Sequence, residues 1–85
     1  MKPYQILISL EVVEAIEQLP RKFRLELRSR ILDIKQDPLG NSDANEIDSK
    51  GRMVEIAIVG HHALTYWVDP ADHQIKVLTL ASADC

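Results

Sequence analysis

The 85-residue sequence holds one cysteine, three glycines and four aromatic residues. A single cysteine, Cys85, excludes both a disulfide framework and a multi-cysteine metal site. It fits a reducing compartment, and a cytoplasmic protein is expected. With Gly40, Gly51 and Gly60 as its only glycines, the chain has no glycine-rich phosphate loop. No apolar run approaches the ~20 residues of a membrane span, so no membrane partner is expected. The stretch from Met1 to Val12 has one lysine and an apolar segment too short for a signal peptide, and Glu11 and Glu14 interrupt it. The aromatics are Tyr4, Phe23, Tyr66 and Trp67, so the core must be aliphatic.

Positive charge is also scarce in one half. From Met53 onward the only basic residue is Lys76. A nuclease surface built there would need several cations to hold phosphates and to stabilise transition-state charge. The net charge of −3 and the pI of about 5.5 further exclude a generally basic nucleic-acid coat.

What is present suffices for one domain, residues 1–85. Its hydrophobic content of 46% argues against disorder. A chain this short buries only about 60% of its unfolded surface, so the core is thin. The charge is unevenly placed. Arg21, Lys22, Arg24, Arg28 and Arg30 face one acid, Glu26, within a decade of net charge +4; the rest carries −7. Arg21, Arg24 and Arg28 recur at helical spacing and share one face. Two readings stay open. The arginines pair with Glu11, Glu14 and Glu17 of a neighbouring helix, or they meet an RNA or another anionic partner.

Tyr4, Ile6 and Ile8 alternate as in a strand. Ser9 then fits an N-cap, with Glu11 and Glu14 following where the helix dipole favours acids. Val12, Ile16 and Leu19 give the first helix an apolar stripe that ends at Pro20. A second helix is predicted over 21–36, with Phe23, Leu27, Ile31 and Ile34 inward and Asp37-Pro38 closing it. Residues 41–51 are polar and read as a loop. Three strands follow, over 53–59, 62–68 and 75–80, with turns at Gly60-His61 and Asp69–Asp72. Leu64, Tyr66 and Val68 are read as core-facing. The expected fold is α+β, in the order β-α-α-β-β-β. Two N-terminal helices cover one face of a four-stranded, mainly antiparallel sheet. Glu55, Thr65 and Trp67 are expected together on the uncovered face. There Trp67 either binds a partner or packs under the 41–51 loop or a dimer mate.

Chemical motifs are few. Neighbouring His61 and His62 point to opposite faces of a strand and do not readily share a metal. His73 with Asp69 or Asp72 matches no recognised metal spacing, so neither metal nor cofactor is expected. Ser9 and Ser82 lack the surroundings of a nucleophile. Lys50 and Arg52, flanking Gly51, could grip an anion.

Together, Tyr4-x-Ile6-x-Ile8-Ser9, Val12, Ala15, Leu19-Pro20, Asp37-Pro38, Val59, Leu64, Tyr66, Val68-Asp69 and Ile75-x-Val77-Leu78 resemble the RelE/ParE superfamily of toxin–antitoxin toxins. The resemblance spans almost the whole chain. It implies a microbial-RNase-like fold and an antitoxin partner that wraps the toxin. In the RelE branch it implies ribosome-dependent mRNA cleavage, and in the ParE branch gyrase poisoning. The RelE catalytic pattern is not matched. Ala63 stands where that branch has arginine, and Val54, Glu55, Ile56 and Ala57 replace its lysines. The segment Ala81–Cys85 lacks the usual glycine, His or Arg, and tyrosine.

The candidates left for catalysis are Lys50, Arg52, His61 and His62. A histidine titrates near neutrality, but one without cationic neighbours makes a poor phosphoryl-transfer site. The expectation is a toxin-like component with a divergent or degraded active site, acting mainly by binding its antitoxin through both helices and a sheet edge. The alternatives are an active toxin, either a ribosome-dependent mRNA endoribonuclease or a ParE-like gyrase inhibitor, and a homodimeric binding module without a toxin role.

Overall fold

The computed structural model describes residues 4–82. The tail pattern over Ala83–Cys85 and the lone cysteine lie outside the described residues. Strand β1 (Gln5–Ile8) is followed by α1 (Leu10–Glu17) and α2 (Arg21–Gln36). Then come β2 (Ala44–Ile47), β3 (Met53–Val59), β4 (His62–Asp69) and β5 (Gln74–Ser82). The sheet is five-stranded, in the order β1-β5-β4-β3-β2. Among the described residues, β1 pairs in parallel with β5 and the other pairs are antiparallel. No helix among the described residues is long and apolar enough to cross a membrane.

Helix α1 starts where Ser9 Oγ accepts the Val12 N–H at 3.3 Å. Val12 is buried, and Ile16 and Leu19 pack on the core beside it. Helix α2 buries Leu27 and Ile34, with Ile31 packed against them. These side chains meet Ala57, Leu64, Tyr66, Ile75 and Val77 of the sheet, and Ile6 and Ile8 extend the cluster across β1. The alternation in β1 and β4 thus places the expected residues inward. Tyr66 is fully buried. Its hydroxyl donates to the Pro38 carbonyl, tying the centre of the sheet to the end of α2. Burial, aided by the Glu55 carboxylate, pushes the phenol up to about 12.

The expected loop over 41–51 is corrected by strand β2, which makes the sheet five-stranded rather than four-stranded. All four of its residues are exposed, so no burial pattern marked it. Pairing to β3 makes it a strand, a tertiary effect that overrides local propensity. Asp43 locks its start. Its N–H donates to Ile56 O at 2.8 Å, and its Oδ2 accepts from Ile58 N at 2.7 Å and from Arg30 at 2.8 Å.

The expected grouping of Glu55 with Thr65 and Trp67 is also corrected. The β3–β4 register sets Glu55 opposite Tyr66 and Ile56 opposite Thr65. Glu55 therefore points to the helix-covered side, where it is 6% exposed. Val54, Ile56 and Ile58 take the uncovered side with Ala63, Thr65 and Trp67.

Candidate functional site

Two regions gather charge and accessible apolar surface. The first is the end of the uncovered sheet face around Trp67. The ring lies half-buried between two cations, with Arg52 Cζ 5.3 Å and Lys76 Nζ 4.9 Å from its centroid. Lys76 reaches Trp67 because the β4–β5 register places them directly opposite. Arg52 comes from the entry to β3.

Two aspartates hold these cations in parallel fashion. Asp48 Oδ1 accepts the N–H groups of Lys50 and Arg52 at 2.9 Å each, which closes the β2–β3 turn. Asp48 Oδ2 accepts from the Arg52 guanidinium at 2.9 and 2.8 Å. Gly51 takes φ +79 in that turn, a backbone conformation that glycine adopts without steric cost. Asp69 Oδ1 accepts the N–H groups of Ala71 and Asp72 at 3.1 and 3.3 Å, shaping the β4–β5 turn. Its Oδ2 lies 3.6 Å from Lys76 Nζ. Each acid thus serves its turn with one oxygen and a cation with the other. The backbone hydrogen bond from Arg52, supported by the guanidinium, keeps the Asp48 carboxyl below its usual range against a smaller opposing effect of desolvation. The two cations are matched by two carboxylates, and the platform has no surplus positive charge.

The candidate catalytic residues do not come together. Lys50 and Arg52 sit at the start of β3. His61 and His62 sit past its far end, a strand length of about 20 Å away. His62 instead lies beside Phe23 of α2, with ring centroids 6.1 Å apart. Lys50 is exposed in its turn. His73, at the Trp67 end, stacks on Tyr4 at 3.9 Å. Among the described residues no group of three or more His, Cys, Asp and Glu is arranged to hold a metal.

The second region is a groove of about 680 Å³ between α1 and α2. Val13, Ile16, Leu25 and Leu32 line its apolar part. Leu25 and Leu32 remain 52% and 53% exposed. The candidate anion binders Arg21, Arg24 and Arg28 line the same groove, with Glu17 as the acid among them. Among the described residues no ion pair joins these arginines to Glu11, Glu14 or Glu17. Arg30 is spent differently, on the Asn41 carbonyl and Asp43. The arginines also sit poorly on their own helix. The first turn of α2 has no acidic residue, and its N-cap, Pro20, supplies no side-chain hydrogen bond. Cations there oppose the helix dipole by about 0.3–1 kcal/mol each.

Sequence reasoning identified Trp67, Arg52 and the three arginines but overlooked Lys76, Asp48 and Asp69 as parts of one arrangement. The signal for Lys76 was the short turn after Asp69, which fixes the register that sets it across from Trp67.

A helical hairpin on one face of a mixed, mainly antiparallel sheet, with the other face uncovered, is the fold of RelE toxins. The chain superposes on a chain of the archaeal RelE–RelB complex from Pyrococcus horikoshii OT3 with a TM-score of 0.83 at 22% identity, covering 96% of this chain and 97% of that one. A chain of the toxin–antitoxin complex RelBE2 from Mycobacterium tuberculosis gives 0.80 at 16%, covering 95% and 99%. The isolated E. coli RelE toxin gives 0.77 at 14%, covering 96% and 86%. No protein-family model and no curated protein matches the sequence.

Proposed function

We propose that the chain is the toxin-like component of a toxin–antitoxin pair and acts mainly by binding its antitoxin, with weak or absent ribonuclease activity. One observation carries this reading. On a RelE-type fold, the uncovered sheet face presents Ile56, Ile58 and Ala63 where a nuclease would need cations, and Arg52 and Lys76 are each engaged by a carboxylate. Such a face has little unneutralised charge to offer a phosphate. Structural neighbours that include toxin–antitoxin complexes support a protein partner. The test is co-expression with the products of the flanking genes. A stable complex on size exclusion is expected; two separate peaks would overturn the reading.

A further inference from the structure

Strand β3 is apolar on both sides, and its isoleucines point away from the core. Glu55 and Ala57 face the helices, whereas Ile56 and Ile58 face outward. The register carries that outward surface across the neighbouring strands. Ile56 lies opposite Thr65, and Thr65 opposite Thr79; Ile58 lies opposite Ala63, and Ala63 opposite Ala81. These residues form two adjoining rows over three strands, and none is charged. Ile58 is 43% exposed, and Leu7, on the same side of β1, is 41% exposed. A sheet with one solvated face alternates apolar residues inward with polar residues outward. A strand apolar on both sides follows instead the pattern of one covered on both.

We infer that the uncovered sheet face packs against the same face of a second copy of this chain, in a two-fold dimer with the helices outermost. Charge selects this occupant. The centre of the face offers no partner to an ion, so the surface that meets it must itself be uncharged. The face satisfies that condition against itself, as an isologous contact requires. Its charged end is balanced as well, with Arg52 on Asp48 and Lys76 on Asp69. A two-fold rotation therefore brings no unpaired like charges together at these cations.

Shape and size agree. Isoleucine, threonine and alanine project little, which gives the shallow surface that sheets stacked about 10 Å apart need. Five strands spaced about 4.8 Å apart and on average about 20 Å long give a face of about 500 Å² in plan. Accessible area exceeds plan area because side chains project, so the face reaches the lower end of stable interfaces, roughly 600–800 Å² per partner. Such a size fits a dimer that dissociates on dilution. The inference does not depend on the antitoxin reading. In this dimer the α1–α2 grooves stay on the outer surfaces, and the face on which a nuclease would hold RNA is closed.

Sedimentation velocity on the purified full chain, over a series from about 1 µM to about 1 mM, tests the dimer. Four forms are compared: wild type, Ile58→Lys, Thr65→Lys and Leu25→Lys. The first two substitutions lie on different strands of the face, so the test survives if one of them disturbs the sheet. Leu25, exposed in the helix groove, takes the same change elsewhere. Circular dichroism checks that each variant is folded. Wild type is expected to pass from monomer to dimer within the series. I58K and T65K should weaken dimerisation at least about tenfold, while L25K dimerises as wild type does. A wild type that stays monomeric throughout would overturn the inference, and so would dimerisation unchanged in both I58K and T65K. A flanking-gene product titrated into the chain supplies the last arm. A complex that retains two copies of this chain supports the dimer. A product that splits the wild-type dimer and fails to bind I58K would assign the face to that partner instead. Absence of any partner among those products would remove the antitoxin reading and leave the dimer standing.

Discussion

The sheet end around Trp67 and the groove between the helices both gather positive charge, and they treat it in opposite ways. Arg52 and Lys76 lie over an aromatic ring, and each is held by an aspartate that also shapes a turn. Their charge serves the fold. Arg21, Arg24 and Arg28 line an apolar groove, the first two near the end of α2 where the dipole disfavours cations, and among the described residues no carboxylate pairs with them. The number of cations therefore says little about where an anion binds; whether the free protein already satisfies them says more. A paired cation must break a contact before it meets a ligand, whereas an unpaired one gains a contact.

If the sheet is the rigid, internally satisfied region, its titrations should govern stability while the groove stays silent. The largest effect is expected in base. The Tyr66 phenol rises to about 12 from 10.0, so between those values the unfolded chain releases its proton first. Stability should fall by about 2–3 kcal/mol as pH rises from 10 toward 12. Denaturant melts across this range check it. Tyr66→Phe should flatten the slope, and R24E/R28E should leave it intact.

Partner affinity separates the regions next. Charge reversal at Arg24 and Arg28 is expected to weaken it at least about tenfold, while Arg52→Ala changes it by less than about twofold. Equal losses from both would erase the distinction. Stability should show the converse. Arg52→Ala gives up two contacts to Asp48 Oδ2 and one over Trp67, costing about 1 kcal/mol. Arg24→Glu should stabilise the free chain by a few tenths of a kcal/mol, because an acid suits the first turns of α2. Chemical denaturation at low salt resolves both signs.

Acid should touch only the sheet end. Asp48 titrates below its usual 3.8 in the folded chain, so its contribution is present above that value. It is lost as pH falls through the lower folded pKa. Asp48→Asn should remove this part of the acid slope, measured by thermal melts over an acidic pH series.

Much of this architecture could be read from residue order. Apolar spacing marked both helices, and alternation marked four of the five strands. Strand β2 escaped because Ala44–Ile47 is exposed throughout and exists through its pairing with β3 and the Asp43 anchor. Glu55 was misplaced because Val54, Ile56 and Ile58 alternate as a core-facing set would. The register with Tyr66 puts it on the covered side. The three arginines could be seen as one helical face, but only the structure distinguishes their unpaired state from pairing with Glu11, Glu14 and Glu17. Trp67 stood out by composition, whereas its two cations depended on contacts across strands and turns that linear spacing does not display.

The proposed reading is that the uncovered sheet face does not cut RNA and that partner binding carries the function. Its most direct test is incubation of the purified chain with translating ribosomes, followed by primer extension on the mRNA. The account predicts an mRNA pattern identical to the untreated control. Cleavage at defined codons, retained in R24E/R28E and lost in Arg52→Ala, would contradict it.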